Sequence, residues 1–260
     1  MRPLDVPGVR SMPRGASLAK PWPYEIHRTL LPLLGVDAPP GVTASGAPQI
    51  LRPYQVDSWR FIRSRRGTLL ADAQRVGKTV PTLYSHDEDD TDPFFVMGPL
   101  ASRIVWHEWA ARRWGGCVAQ LEAKLKKNGR SKGCAICNRI GVSATDVPSF
   151  MVLEGRTLDV ERVLKYKPRA LFCTYAVGST WRVLFAHLKR IGTLVFDEIH
   201  LAGVQNRNNI TVESMRWLNT VSERAVAVTG TPLFNRTQGL WPILDIVAPA
   251  AFGDYWSYAR

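Results

Sequence analysis

The chain has 260 residues, 45% of them hydrophobic and 22% charged, which is enough apolar material for one large or two small domains. Lys and Arg number 34 against 22 Asp and Glu, and the resulting formal charge of +12 favours a polyanionic partner such as nucleic acid. No apolar run approaches the roughly 18 residues that a membrane-spanning helix needs, and no apolar stretch with a cleavage site opens the chain. Four unevenly spaced cysteines, Cys117, Cys134, Cys137 and Cys173, do not make a disulfide framework and fit a reducing compartment. The expectation is an intracellular protein of the cytoplasm, nucleoid or nucleus, without a membrane.

Residues 1–48 are punctuated by prolines from Pro3 to Pro48 and read as a Pro-rich arm, partly disordered, with a short amphipathic packing helix between Tyr24 and Leu34. From residue 49 onward, six short apolar runs alternate with helix-like stretches: Thr68 to Ala71, Phe94 to Gly98, Phe150 to Leu153, Ala170 to Thr174, Thr193 to Asp197 and Ala225 to Thr229. Continuous apolar strands with crossovers long enough for helices predict an α/β lobe, its mostly parallel sheet covered by helices on both faces. Three segments interrupt the alternation. The acidic run Ser85 to Asp92 reads as a solvated loop, and Gly203 to Asn209 as a polar connector. Between them, residues 115–148 form a basic insertion carrying Lys124, Lys126, Lys127, Arg130, Lys132 and Arg139.

Chemistry first appears where the Leu69-Leu70-Ala71 strand runs into Asp72-Ala73-Gln74-Arg75-Val76-Gly77-Lys78-Thr79 and then a helix. A triphosphate needs backbone N–H groups at a helix N-terminus, an ammonium for the β and γ phosphates and a hydroxyl for Mg²⁺. Gly77 allows the close approach, Lys78 is the ammonium and Thr79 the hydroxyl. Pro81 falls in the first helical turn, where a missing N–H costs little. The strand ending in Asp197-Glu198-Ile199-His200 is the second piece, since ligand chemistry in such sheets sits at strand C-termini. Asp197 would join the Mg²⁺ shell and Glu198 would polarise the attacking water; the plainer alternative is two exposed acids capping the next helix. In the insertion, Cys134-x-x-Cys137 admits a structural zinc with Cys117 and a fourth ligand such as His107 or Cys173, against the alternative of a basic flap with incidental thiols. Trp59, Trp217 and Trp241 sit in apolar helical contexts and read as core, whereas Trp106 and Trp109 fit either core or base stacking.

Residues 49–260 resemble the first RecA-like lobe of the Swi/Snf-like double-stranded DNA translocases of helicase superfamily two. Leu51-Arg52-Pro53-Tyr54-Gln55 is similar to that family's adenine-reading segment, with Gln55 on the base edge, and Asp72 to Thr79 to its phosphate loop. Phe95 to Leu100, with Pro99, resembles the first DNA-strand motif, and Thr174-Tyr175 falls at the end of a middle strand. Asp197-Glu198-Ile199-His200 matches the Asp-Glu-x-His box. Val228-Thr229-Gly230-Thr231-Pro232-Leu233-Phe234-Asn235, followed by Leu240-Trp241-Pro242-Ile243-Leu244, is similar to the coupling motif. The resemblance implies ATP and Mg²⁺ as ligands, double-stranded DNA as partner, and Lys78, Asp197, Glu198 and His200 as catalytic residues. Thr229, Gly230 and Thr231 would couple the phosphate site to DNA through His200.

Two departures qualify the match. Arg75 stands where the family's loop has glycine, so it would cost affinity if its backbone needs positive φ, or add a phosphate contact if it does not. At Arg260 the family would pass into a second RecA-like lobe, whose arginine fingers contribute on the order of 10³-fold or more to turnover. That lobe, in cis or in trans, is expected to be needed for hydrolysis. The alternative is a lobe that keeps fold and basic surface as a non-hydrolysing binding module, and an RNA helicase is a weaker reading within the enzyme class.

Overall fold

The computed structural model describes residues 48, 50–88, 90–126, 132–155, 157–178, 190–204, 209–231, 240–249, 251 and 253–259. The arm ahead of Pro48, including the expected helix between Tyr24 and Leu34, lies outside them, as do Lys127, Arg130, residues 205–208 of the polar connector and residues 232–239 after the coupling threonines. Two compact units divide the chain, Met1–Val56 and Asp57–Arg260. The second contains the sheet.

Six strands form one sheet: β1 (Gly67–Leu70), β2 (Phe94–Gly98), β3 (Phe150–Val152), β4 (Ala170–Thr174), β5 (Ile191–Asp197) and β6 (Ser222–Val228). Their spatial order is β1-β6-β5-β2-β4-β3, and every pairing is parallel. The helices are α1 (Pro53–Arg63), α2 (Thr79–Tyr84), α3 (Arg103–Trp114), α4 (Val118–Leu125), α5 (Ala135–Arg139), α6 (Thr157–Tyr166), α7 (Tyr175–Gly178), α8 (Ile210–Thr220), α9 (Trp241–Val247) and α10 (Tyr255–Ala259). Among the described residues, no helix is long and apolar enough to cross a membrane.

Successive strand residues point to opposite faces, and the core divides accordingly. Phe95, Met97, Leu171, Cys173, Leu194, Phe196 and Ala227 pack on one face with Val163 of α6, Met215 and Leu218 of α8, and Ile243 and Ile246 of α9. Phe94, Val96, Ala170, Phe172, Val195, Val226 and Val228 pack on the other with Leu83 of α2 and Trp106, Ala110 and Trp114 of α3. Burial on both sides is why β2 and β4 read as near-continuous apolar runs. Of the tryptophans expected in the core, Trp241 is buried, Trp217 packs against the first cluster, and Trp59 is half-buried with its indole N–H donating to the Tyr84 carbonyl.

The acidic run departs from expectation. Ser85 and His86 are buried rather than solvated, and arginines from four distant positions close around the segment. Arg63 and Arg224 donate to the Ser85 carbonyl, Arg113 to those of Leu83 and His86, and Arg169 to that of Glu88. Arg63 also pairs with Asp87 and Arg113 with Glu88. The acids therefore answer a set of arginines that local reading does not reveal. The polar connector differs as well, because its last residue, Asn209, caps α8 by accepting the Thr211 N–H at 2.9 Å.

Inside this cage, burial and then the Arg113 charge push the His86 imidazole down from 6.5 to about 3, so it stays neutral, with Nδ1 3.2 Å from Thr193 Oγ1. Asp90 Oδ2, at 3.8 Å, is too distant to retain a proton on the ring. Below pH 6.5 the unfolded chain binds a proton at this position that the folded chain does not, so His86 costs stability as pH falls from about 6.5 towards about 3. Denaturant titrations across that window should give a steeper loss for the unsubstituted chain than for His86→Asn; equal slopes would mean that His86 is charged in the fold.

Candidate nucleotide and coupling site

Parallel pairing places every strand's C-terminal end at one edge, and register orders the residues found there. Leu70 pairs with Val228, Asp197 with Val228 and Gly98 with Thr174, while Met97 beside Phe196 brings Gly98 next to Asp197. The phosphate loop, the Thr229 segment, the acidic box, Gly98-Pro99 and Thr174 thus follow one another along the rim. Because β6 lies between β1 and β5, the loop that follows β1 sits beside Thr229.

Residues 71–78 connect β1 to α2 as a largely exposed loop. Lys78 caps α2, Thr79 is the helix's first residue, Pro81 its third, and Val76 is half-buried one step before Gly77. Gly77 has φ 79 and Arg75 has φ 65, both left-handed. Arg75 therefore adopts the backbone that favours glycine, which meets the first of the two conditions set by its sequence position. The Lys78 ammonium donates to the carbonyls of Asp72 and Ala73, each at 2.8 Å, so the loop folds around its own cation. Asp72 accepts the Ser58 hydroxyl at 3.2 Å, tying the loop to α1.

Asp197 closes β5 and is 9% exposed. Its Oδ2 accepts the Trp106 indole N–H at 2.8 Å, and its carbonyl accepts the Tyr175 hydroxyl at 2.7 Å. Burial raises the Asp197 carboxyl above the usual range, reinforced by the Glu198 charge, while the Trp106 and Ser102 hydrogen bonds oppose the shift. Glu198 turns the chain with φ 46 and ψ 52 into a one-turn 3-10 helix, Ile199–Ala202. From that turn its Oε2 lies 3.3 Å from His200 Nδ1 and accepts the Gly230 N–H at 3.4 Å.

His200 Nδ1 shares a 2.8 Å hydrogen bond with Thr229 Oγ1, which in turn accepts the Thr231 N–H at 3.1 Å. Thr231 Oγ1 lies 3.5 Å from both ring nitrogens. On the other side, Thr229 N–H donates to the Leu70 carbonyl at 3.1 Å. Gly230 approaches the phosphate loop so closely that a Cβ there would stand 2.5 Å from Gln74 Cγ. Box, threonines and loop therefore form one contiguous network of hydrogen bonds and packing.

Three further sequence candidates are Pro99, Thr174 and Gln55. Pro99 caps a one-turn helix, Leu100–Ser102, whose Ser102 hydroxyl donates back to the Pro99 carbonyl at 2.9 Å. Thr174 ends β4. Gln55 belongs to the first unit, where its Oε1 accepts the Arg52 N–H at 3.1 Å at the start of α1. Sequence reasoning left Trp106 undecided between core and stacking, and did not find Ser102; here both serve Asp197. The Thr174-Tyr175 pair was the available signal for Tyr175, although not for its hydrogen bond. Cys173 is buried within β4, whereas His107, Cys117, Cys134 and Cys137 converge elsewhere.

Residues 22–260 match the SNF2-related domain family, and the chain belongs to that family of ATPase and helicase-like domains. It is 25% identical over 218 residues to Protein CHROMATIN REMODELING 19 of Arabidopsis thaliana, and 23% identical over 219 residues to the ISWI chromatin-remodeling complex ATPase ISW1 of Saccharomyces cerevisiae. Each match covers 78% of this chain but only 26% and 16% of those relatives. Among solved structures, the Sulfolobus solfataricus SWI2/SNF2 ATPase core in complex with dsDNA superposes with a TM-score of 0.55 at 22% identity, covering 80% of this chain and 38% of that one. The same organism's SWI2/SNF2 ATPase core domain gives 0.53 at 20% identity, covering 85% and 42%. These two likenesses establish the RecA-like fold.

A left-handed arginine costs about 1–2 kcal/mol relative to glycine's freedom there, and glycine returns part of that to the unfolded chain. Arg75→Gly is expected to raise the urea midpoint, with a net gain of about 1 kcal/mol or less. A drop in the midpoint would show that the guanidinium makes a compensating contact.

Proposed function

We propose that this lobe binds ATP with Mg²⁺ and couples its hydrolysis to movement along double-stranded DNA, with a second RecA-like lobe in cis or in trans completing the site. The observation that carries the reading is the unbroken linkage from Glu198 through His200 to Thr229 and Thr231, against a phosphate loop touched by Gly230. Lys78 would exchange its two loop carbonyls for phosphate oxygens, a substitution that keeps its ammonium fully coordinated. Thr79 and Asp197 have the oxygen chemistry Mg²⁺ requires, and the ion would neutralise charge on the phosphates. Glu198 would orient the attacking water, and through its contact with the Gly230 N–H a change at the γ-phosphate would reach the threonine segment.

His200 bridges the two. Because Thr229 is fully buried and hydrogen-bonded to both His200 and Leu70, a shift of the box moves a rigid element rather than a loose loop. Pro99, Thr174 and Thr231 all lie along the same rim, where contacts to a DNA strand would be coupled to that shift. Gln55 is assigned to the adenine edge, and the basic excess supplies the general attraction to phosphates that nucleic-acid binding needs. The setting is intracellular.

Two variants test this reading by different failures. Lys78→Ala is expected to abolish ATP binding measured by calorimetry, and undiminished affinity would remove the site. Glu198→Gln is expected to keep binding while losing DNA-stimulated hydrolysis by a factor of at least about 10² when a second lobe is supplied. If the unsubstituted lobe binds ATP but duplex DNA and a second lobe evoke no hydrolysis, the chain is a non-hydrolysing binding module. Greater stimulation by RNA than by duplex DNA would make it an RNA helicase lobe.

A further inference from the structure

The basic insertion is held by little apolar packing. Between Gly115 and Val147, its buried hydrophobic side chains among the described residues are Val118 and Leu121, besides Cys117 and Cys137. Its two helices, α4 and α5, have eight and five residues. A core of this size does not order a segment unaided, and small modules of this kind are commonly fastened by disulfides or metal. Here all four cysteines of the chain are free thiols.

Three of them meet a histidine. His107 of α3, Cys117 ahead of α4, Cys134 at the cap of α5 and Cys137 within it bring their ligand atoms within 4.8 Å of one another. His107 Nε2 is 3.7 Å from both the Cys134 and the Cys137 sulfur. A tetrahedral ion with bonds of about 2.3 Å to sulfur and about 2.0–2.1 Å to nitrogen has ligand-to-ligand edges of about 3.5–3.8 Å, which the two His107–cysteine separations match. We propose that His107, Cys117, Cys134 and Cys137 bind a zinc ion as a closed structural site that fastens the basic insertion to α3.

The surroundings fit that role. Three of the four ligands are buried and Cys134 is half-buried, leaving no open position of the kind a catalytic zinc keeps. The His107 ring is fixed by stacking on Phe150, with centroids 4.7 Å apart and planes 16° apart. Gln120 of α4 accepts the Cys134 N–H at 2.7 Å and donates to Asn138 of α5 at 2.9 Å, so the two short helices are aligned outside the ligands. Cys173, the other fourth ligand considered from sequence, is fully buried in β4 and outside the cluster. His107 also directly follows Trp106, the indole donor to Asp197, so the insertion and the nucleotide site hang from the same turn of α3.

The test is metal analysis of the full chain purified without chelator. Stoichiometric zinc is expected, lost in Cys134→Ser and His107→Ala and retained in Cys173→Ser. Because a ligand variant can fail to fold, the unsubstituted chain is also stripped and reloaded with cobalt(II), where intense visible bands with thiolate charge transfer mark a tetrahedral sulfur-rich site. Absence of stoichiometric zinc together with weak, octahedral cobalt bands would overturn the proposal. So would zinc that survives in folded His107→Ala but is lost in Cys173→Ser.

Discussion

Everything at the candidate site hangs on β6 lying in parallel between β1 and β5. That single placement sets Thr229 beside Leu70 on one side and beside the acidic box on the other. A slip of one residue in β6 would turn Thr229 away and present Val228 in its place, since strand side chains alternate between faces. Register is protected by the core itself: Val226 and Val228 belong to one apolar cluster and Ala227 to the other, so a slip would force small and large side chains to exchange layers. Packing on both faces thus fixes hydrogen-bonding geometry at the edge.

The edge itself is locally unfavourable. Asp197 is a buried carboxyl raised above its ordinary range, Glu198 is left-handed without being glycine, and Arg75 shares that departure in the phosphate loop. Such conformations cost about 1–3 kcal/mol each and persist where surrounding structure over-determines them. Here the over-determination is identifiable: Trp106 and Tyr175 hold the Asp197 carboxylate and carbonyl, and Gly230 N–H holds the Glu198 side chain. All three unfavourable features lie at the C-terminal edge of the sheet, where ligand chemistry sits in parallel α/β folds: Asp197 and Glu198 after β5, and Arg75 after β1 on the far side of β6.

The strands were legible where burial is two-sided. Phe94–Gly98 and Ala170–Thr174 carry the same bounds in sequence and structure, because every residue there faces one core or the other. The ends of β5 and β6 were less legible: Gly192 interrupts the apolar run of one, and the polar Ser222, Glu223 and Arg224 open the other. Candidate residues on the loop, box and threonine segment were found because their chemistry lies within short motifs. Long-range partners were not legible in the same way. The acidic run is gathered by Arg63, Arg113, Arg169 and Arg224, each contributed by a different stretch of chain, and no local pattern announces their convergence.

Helix α3 explains why the middle of the chain resisted sequence reasoning. Trp106 turns inward to Asp197, and His107 meets the cysteine cluster and Phe150. Glu108 accepts from Arg112 and from Arg139 of the insertion, and Arg113 reaches the acidic run. Buried residues consequently occupy more than one side of the helix, at Trp106, His107, Ala110, Ala111 and Trp114, and a simple amphipathic stripe never forms. A helix with that many partners is held along its whole length, from Trp106 at Asp197 to Arg113 at the acidic run. The same set of partners that blurs its sequence signal makes α3 the element shared by the basic insertion and the Asp197 end of β5.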